Sequence, residues 1–278
     1  MKRYTKTVDR NNIYITEYSS LSEFISDINS LPNNQFYANR ELSSQRRESE
    51  NGDWYKTVDY RQATYMLTHG WDAAAEKMAE KVKMTTPIQA VSRTSKPAYG
   101  VVGSQASVPR YLQGIPTNMV SRQTTYAKQK VVTITKGISY SGWWSADAIL
   151  RECIKALQIV QSMENNGQRV RLNVMLSSTQ CTGGTNHSIC KVCVKQPDER
   201  LNISKMSFAL AHPSMLRRFF FKWIEVDPFI TFDLGGSYGV PSYRSIIDKG
   251  LAENEYYIPE KIDDMDELIK QFSTQGRK

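Results

Sequence analysis

The sequence predicts an α/β fold in which a sheet is covered by helices on both faces, and three observations carry this prediction. The β-branched, apolar run over residues 131–135 is typical of a buried strand. The segment from Ser145 to Gly167 has the apolar periodicity and the end signals of a long helix. Strand patterns then alternate with helical patterns toward the end of the chain, as they do in α/β proteins.

The other predicted elements are short segments with recognisable ends. Ser20 followed by Glu23 is a capping box that opens a helix, which ends at Leu31-Pro32. Asp263 is predicted to cap a terminal helix. The remaining predictions are strands over residues 13–18, 169–176, 187–195 and 229–234, and helices over residues 60–69 and 71–83.

The chain divides into two regions by pattern. Residues 35–53 are polar and are predicted to form a mobile arm. Residues 84–127 lack periodicity and contain four prolines, which indicates irregular structure that covers another element. We therefore predict that residues 1–127 form a helical and irregular region wrapped on the core, and that residues 128–278 form the α/β core with an acidic tail.

Composition excludes several classes of protein. With 40% hydrophobic and 10% aromatic residues among 278, the chain is not expected to be disordered throughout. No apolar run approaches the ~18 residues that span a bilayer, and no apolar segment of a signal peptide follows the amino terminus. Four cysteines without a secretion signal suggest reduced thiols. We expect a soluble, cytoplasmic protein.

The net charge of +8 is unevenly distributed. Residues 1–225 contain 30 basic against 18 acidic residues, and residues 226–278 contain 6 against 10. A basic body favours polyanionic partners through phosphate contacts. Because the basic residues are scattered, a solvated surface is the simpler interpretation. A further hypothesis is that the acidic tail folds back onto the body.

The most distinctive stretch is residues 203–226, an apolar run interrupted by Ala-His-Pro-Ser-Met-Leu-Arg-Arg. Pro213 predicts a break at His212. His212 is predicted to be a core or capping histidine, since no nucleophile stands at a telling spacing from it. Arg217 and Arg218 either brace the core or face a partner, and bracing is the favoured interpretation.

The loop at residues 137–142 lies between a strand and a helix, where anions and metals bind in many α/β proteins. It matches neither G-x-G-x-x-G nor a Walker sequence. It resembles the metal-ion-dependent adhesion site of von Willebrand factor A domains, with Ser139 and Ser141 at the two serine places and Asp233 as the second carboxylate. Gly137 stands where that site has its Asp, so bound Mg²⁺ is not expected and the resemblance concerns the fold.

A second metal hypothesis concerns zinc. Four possible ligands lie close together in the sequence, and Cys190-x-x-Cys193 has ligand-like spacing. A strand over this segment would put Cys190 and Cys193 on opposite faces, and no turn former lies between them. Ordinary strand cysteines are therefore the better prediction, and no cofactor is expected. The four residues are Cys181, His187, Cys190 and Cys193.

Several blocks of the chain resemble a phage- and prophage-associated family of unknown function. The most specific are Val108-Pro109-Arg110-Tyr111-Leu112-Gln113-Gly114-Ile115-Pro116 and Phe208-Ala209-Leu210-Ala211-His212-Pro213-Ser214-Met215-Leu216-Arg217-Arg218. The blocks cover roughly residues 50–226. The resemblance implies a phage-encoded protein with a three-layer, Rossmann-like (von Willebrand factor A-like) core, and it implies no catalytic residues.

These observations favour a non-enzymatic protein that binds a protein partner at the carboxyl ends of the strands, where ligands of open α/β sheets bind. The residues expected at that edge are Ser139, Tyr140, Ser141, Trp143, Trp144, Asp233, Ser237 and Tyr238. The alternative is a nucleic-acid-binding protein without sequence preference. Its phosphate contacts would be Arg46, Arg47, Arg110, Arg122, Lys128, Lys130, Arg217 and Arg218. A metalloenzyme using Asp233 or the cysteines ranks last, because no base is paired with a nucleophile.

Overall fold

A computed structural model describes most of the chain. The described ranges are residues 1–37, 41–49, 52, 54–83, 93–126, 131–181, 184–235 and 238–275.

The centre of the fold is a six-stranded mixed sheet. Its strands, in chain order, are β1 (Lys2–Val8), β2 (Asn11–Tyr18), β6 (Val131–Gly137), β7 (Arg169–Thr179), β8 (Asn186–Lys195) and β9 (Glu255–Ile258). The spatial order is β1-β2-β8-β7-β6-β9. β6 runs parallel to both β7 and β9, and β2 runs parallel to β8. The two parallel sets meet at the antiparallel pair β7–β8, and β1 pairs antiparallel with β2 at one edge.

Nine α-helices occur in the described residues, and helices contact the sheet from both sides. They are α1 (Leu21–Ser30), α2 (Tyr60–His69), α3 (Asp72–Lys83), α4 (Val108–Leu112), α5 (Ala146–Asn165), α6 (Ile203–Ala211), α7 (Phe221–Val226), α8 (Arg244–Gly250) and α9 (Met265–Gln275). The larger core lies between the sheet and α1, α5 and α6. A smaller one lies under α8, where Ile246 and Ile247 pack on Ile13, Ile15 and Ile189. The predicted α/β class is confirmed at this level.

The helix ends follow the predicted signals closely. The Ser20 hydroxyl accepts from the main-chain N–H of Glu23 at 3.1 Å and opens α1. The Ser145 hydroxyl accepts from Ala148 N–H at 3.2 Å and opens α5. Past the end of α5, Gly167 adopts φ +81°, a conformation that favours glycine. At α9 the cap is Asp264, which accepts from Glu267 N–H at 2.9 Å, rather than the predicted Asp263.

Two strand assignments differ from the prediction. The described residues 229–234 form no strand, although Ile230, Phe232 and Leu234 are buried in alternation. The second difference is β9, a strand at residues 255–258 that was not predicted and that pairs with β6. The prediction also assigned residues 1–127 to a region wrapped on the core, whereas β1 and β2 are strands of the main sheet.

Residues 93–126 form a separate small sheet, which we call the ribbon. It consists of β3 (Arg93–Gly100), β5 (Met119–Tyr126) and the short β4 (Gln105–Ala106), with α4 between β4 and β5. β3 and β4 pair antiparallel with opposite edges of β5. The irregular structure predicted for residues 84–127 is therefore wrong for this part, while residues 84–92 lie outside the described residues.

The run over residues 203–226 breaks where the sequence predicts. α6 ends at His212, whose ring Nδ1 accepts from Ser214 N–H at 3.1 Å. Burial lowers the pKa of His212 to about 3, so its imidazole is neutral at pH 7 and serves as a helix-end acceptor. The chain continues as a π-helix over Met215–Phe220 and then as α7. A π turn places Arg217 and Arg218 in the interior together, and such turns are frequent at functional sites.

Candidate functional site

A pocket of about 380 Å³ lies at the carboxyl ends of the parallel strands β6 and β7. Its floor comes from the last residues of β7 and the loop after β6, and its walls come from segments distant in the sequence. The lining residues are Tyr37, Glu41, Arg46, Trp54, Tyr55, Ser139, Tyr140, Ser141, Gly142, Leu176, Ser177, Ser178, Leu216, Arg217, Phe221, Tyr238, Gly239, Val240 and Pro241. Its size is within the range of ligand pockets in proteins.

One wall of the pocket is a stack of three aromatic rings. Tyr238 lies between Phe221, with ring centroids 3.9 Å apart, and Tyr37, with centroids 5.7 Å apart. The Tyr238 hydroxyl donates to Glu225 Oε1 at 2.6 Å, and this oxygen also accepts from Ser43 N–H at 2.7 Å. The buried carboxylate of Glu225 thus holds both the ring stack and the neighbouring segment in place.

The opposite wall is the segment of residues 41–57, which we call the wall segment. The predicted mobile arm, residues 35–53, is wrong for its described residues Tyr37, Leu42 and Ser43, which are buried. Two consecutive arginines hold two consecutive aromatic residues of this segment: Arg217 stacks on Trp54 at 4.0 Å and Arg218 on Tyr55 at 4.1 Å. The wall is therefore fixed by cations buried in the π-helix.

Arg218 is the main attachment of the wall segment. Its Nε donates to the Thr57 hydroxyl at 2.8 Å, and its Nη2 donates to the Thr57 carbonyl at 2.8 Å. Its Nη1 donates to the carbonyls of Ser43 at 3.2 Å and of Arg46 at 2.8 Å. Burial lowers the pKa of the guanidinium group, and the surrounding carbonyl dipoles solvate its charge in place of water.

The polar groups of the pocket floor form hydrogen bonds with one another. The Ser139 hydroxyl donates to the Ser177 carbonyl at 3.2 Å and accepts from Ser177 N–H at 2.9 Å. Gly137, at the place of the first metal-binding carboxylate of an adhesion site, has no room for a side chain, because a Cβ there would overlap the Tyr257 hydroxyl. The residues present at this loop do not fit a Mg²⁺ site of that type.

The structure brings together half of the residues predicted for the partner-binding edge. Ser139, Tyr140, Ser141 and Tyr238 line the pocket. Trp143, which follows the pocket-lining Gly142 in the chain, is 97% exposed, and Trp144 packs against Tyr140 with ring centroids 5.1 Å apart.

Asp233, which was also predicted for that edge, does not contribute to the pocket. Asp233 is exposed, does not line it, and is not at the end of a strand. Its carboxylate accepts from Gly235 N–H at 2.9 Å. Ser237 lies outside the described residues.

The residues predicted for phosphate contacts are scattered. Arg46 lies at the pocket rim, 3.5 Å from Glu41, and Arg47 is exposed, 3.8 Å from Asp59. Arg110 lies on the ribbon. Three of the eight lie beyond what the structure describes in full: Arg122 is on β5 but its side chain is not described, and Lys128 and Lys130 lie outside the described residues.

Arg217 and Arg218 belong to the same predicted set but are buried, with their guanidinium groups donating to main-chain carbonyls. That arrangement fits the bracing role favoured from the sequence. Arg217 also lines the pocket, whereas Arg218 does not.

The proposed zinc ligands do not converge. Cys190 and Cys193 are buried in β8, His187 is buried near the start of that strand, and Cys181 is exposed. In the described part of the chain, no three His, Cys, Asp or Glu side chains form a group that could hold a metal ion.

Sequence reasoning missed four residues that line the pocket, namely Tyr37, Trp54, Tyr55 and Phe221, and it missed Glu225, which accepts a hydrogen bond from the lining residue Tyr238. The sequence does contain a signal for Trp54 and Tyr55. They form an aromatic pair inside a polar stretch, and Arg217-Arg218 form an equally unusual pair of cations inside an apolar stretch. Tyr37 and Glu225 carry no local signal. Their role arises only when the wall segment meets α7.

Glu225 makes the stability of the pocket pH-dependent. Burial raises the pKa of its carboxyl group, although the hydrogen bonds from Tyr238 and Ser43 oppose this. Between the unfolded pKa and the raised folded pKa, the native state holds more protons, so stability falls as pH rises through this window. We expect Glu225→Gln, which keeps an acceptor for Ser43 and Tyr238, to remove that fall. Urea unfolding midpoints from acidic to neutral pH measure it.

Tyr238→Phe tests the same pH dependence in the opposite direction from Glu225→Gln. It removes a hydrogen bond that lowers the pKa of Glu225, and it should therefore extend the window of falling stability to higher pH. Parallel pH profiles for the wild-type protein and Glu225→Gln would contradict the assignment.

Together these features define a mixed α/β protein with an aromatic-walled pocket at the carboxyl edge of its sheet. The chain belongs to the family described as Domain of unknown function (DUF7192), whose sequence model matches residues 3–275. A family of unknown function is what the sequence blocks predicted. No curated protein and no solved structure matches the chain significantly. Among the described residues, no helix has the length and apolar character to cross a bilayer.

Proposed function

We propose that the protein is a phage- or prophage-encoded, non-enzymatic binding protein that engages a protein partner through a degenerate von Willebrand A-like site. The observation that carries the proposal is the pocket at the ends of β6 and β7, together with the exposed Trp143, which follows the pocket-lining Gly142 in the chain. The phage origin rests on the sequence blocks, and the von Willebrand A-like character rests on Ser139 and Ser141 following a strand and preceding a helix.

The pocket and Trp143 favour a protein over a small molecule. A small ligand would be enclosed by the walls and would leave Trp143 in water, whereas a protein partner would cover both. An aromatic or aliphatic anchor side chain suits the ring stack around Tyr238, and the pair Arg46–Glu41 at the rim offers polar contacts of both signs. Exposed tryptophans beside a pocket are typical of residues that contribute strongly to binding.

Cytoplasmic action in a host cell is part of the same proposal. All four cysteines are free thiols, and three of them are buried, which suits a reducing compartment.

The proposal predicts that blocking the mouth abolishes binding. Ser141→Trp would fill the mouth from an exposed position, and Trp143→Ala would remove the anchor, so each should weaken binding at least ~10-fold. A photo-crosslinking amino acid at position 143 identifies the partner in cells, and the affinity of the purified pair is then measured for each variant.

The control uses Tyr65, which is exposed on α2 away from the pocket. A crosslinker at position 65 should not capture the partner, and Tyr65→Ala should bind as the wild-type protein does. Undiminished binding by both Ser141→Trp and Trp143→Ala would refute the site. If native mass spectrometry detected a small molecule bound to the wild-type protein but not to Ser141→Trp, the pocket would be a small-molecule site and not a site for a protein partner.

A further inference from the structure

The ribbon contains no acidic residue. The acid-free stretch around it runs from Lys81 to Ala146 and includes nine Lys and Arg residues. Four of these lie on the ribbon itself, with Arg93 and Lys96 on β3, Arg110 on α4 and Arg122 on β5. A stretch of this length without an Asp or Glu creates a positive potential that attracts a polyanion.

Among the ribbon side chains that the structure describes, none belongs to a buried core. None of the side chains described between residues 97 and 121 is buried. At the end remote from Arg93, Val101, Val102 and Leu112 are 71%, 82% and 78% exposed. A small sheet needs an apolar face or a packing partner to be stable, so this surface is suited to being covered by a ligand.

One cation of the ribbon is already held in position. The Arg110 guanidinium group lies 3.8 Å from the centre of the Tyr99 ring. Its Nη1 donates to the Thr117 carbonyl at 3.2 Å. A cation fixed in this way loses less conformational entropy on contacting a phosphate than a free arginine does.

The distribution of basic residues along the ribbon favours a nucleic acid over a membrane as its partner. β3 has eight residues, so Arg93 lies roughly 25 Å from the apolar end at ~3.3 Å per residue. If that end entered a membrane with the ribbon upright, Arg93 would lie beyond the Debye length of about 8–10 Å and would contribute little. By strand alternation and register, the positions of Arg93 and Arg122 share one face of the ribbon with Tyr99, over which Arg110 lies, whereas position 96 is on the other face. A duplex lying along that face meets three basic positions, and the Ser, Thr and Gln positions of β3 and β5 add donors for phosphate oxygens.

We propose that the ribbon is a binding arm for double-stranded DNA. The major groove of B-form DNA admits a two-stranded β-ribbon, whereas the deep, narrow major groove of duplex RNA does not. The basic positions contact the phosphate backbone, and the exposed aliphatic end, with Val101, Val102 and Leu112, contacts base edges in the groove. This activity is separate from the pocket, and neither proposal depends on the other.

The test is binding of the full-length protein to a labelled DNA duplex longer than the ribbon, followed by fluorescence anisotropy between about 50 and 200 mM salt. The triple variant Arg93→Gln, Arg110→Gln, Arg122→Gln, which removes the three basic positions that share one face, is expected to bind at least ~10-fold more weakly. Its slope of log affinity against log salt is expected to fall by roughly 0.9 for each phosphate group that the variant no longer neutralises.

A matched variant removes the same number of charges from exposed positions on the body. Arg61, Lys77 and Arg151 lie on α2, α3 and α5, and their replacement by Gln should leave both affinity and slope nearly unchanged. An equal loss for both triple variants would overturn the proposal. So would the absence of DNA binding at low salt, tighter binding of duplex RNA, or binding to phosphatidylserine vesicles in place of DNA.

Thermal melting of each variant checks that it folds. A second variant, Gln105→Glu with Gln113→Glu, adds negative charge at two exposed ribbon positions while leaving every buried side chain in place. It should weaken DNA binding as the basic triple variant does. If it folds and binds DNA as the wild-type protein does, the ribbon is not the DNA-binding surface.

Discussion

Replacing Arg218 with alanine is expected to lower the free energy of unfolding by about 3–4 kcal/mol. The side chain is fully buried and donates four hydrogen bonds to the wall segment. Its loss would leave the carbonyls of Ser43, Arg46 and Thr57 without this donor, and each unsatisfied buried acceptor costs about 1–3 kcal/mol where water cannot replace the partner. It would also remove the stacking on Tyr55.

Urea or thermal unfolding of the purified variant measures the change. Arg218→Lys keeps the charge but loses the planar fork that reaches several carbonyls, so it should recover only part of the stability. Arg61→Ala, an exposed arginine on α2, should change stability by no more than about 0.5 kcal/mol. If Arg218→Ala were as stable as Arg61→Ala, the wall segment would not depend on this arginine.

The same substitution should open the pocket. Trp54 and Tyr55 form part of the pocket wall and are held by Arg217 and Arg218, so releasing the wall segment removes one side of the site. Limited proteolysis should then cut within residues 41–57 at temperatures where the wild-type segment is protected. If this segment is cleaved while the sheet remains folded, the substitution has released the wall segment without unfolding the protein.

The elements that sequence predicted well are those whose signals are local. Ser20 and Ser145 mark the starts of α1 and α5. Each hydroxyl accepts a hydrogen bond from a main-chain N–H of the first helical turn, which has no partner within the helix, so the signal lies within a few residues of the helix it caps. The strand predicted at residues 229–234 failed for a different reason. Ile230, Phe232 and Leu234 alternate because they are buried, and apolar alternation reports burial rather than hydrogen bonding to a neighbouring strand.

The site was only partly predictable, because its residues come from segments far apart in the chain. The rule that ligands bind at carboxyl ends of strands located Ser139, Tyr140 and Ser141. Nothing local associates Tyr37 with Tyr238, or Trp54 with Arg217, since these contacts exist only after the wall segment has packed on the π-helix. The ribbon was missed because its sequence has no apolar alternation, and none of its side chains described between residues 97 and 121 is buried.

The second large effect is expected at Lys191 on the α8 side of the sheet. Its Nζ lies 2.7 Å from Glu255 Oε2 and 3.0 Å from the Gly250 carbonyl, and both side chains of the ion pair are buried. The pair joins β8 to β9, which are separated in the sheet by β7 and β6. Lys191→Met would leave the Glu255 carboxylate buried without its cation, and breaking a buried pair in this way costs about 3–5 kcal/mol.

The double variant Lys191→Met, Glu255→Gln separates two contributions to the free energy of unfolding: the cost of burying the Glu255 carboxylate without a cation, and the stabilisation that the ion pair itself provides. The neutral amide oxygen that the second substitution introduces can still accept from Ala252 N–H, which donates to Glu255 in the wild type at 2.9 Å, so most of the lost stability should return. The exposed pair Arg244–Asp248 is the control, and Asp248→Asn should cost less than about 1 kcal/mol. If the double variant were no more stable than Lys191→Met, the loss would come from the missing pair and not from an orphaned carboxylate, and the pair would be a net contributor to the docking of β9.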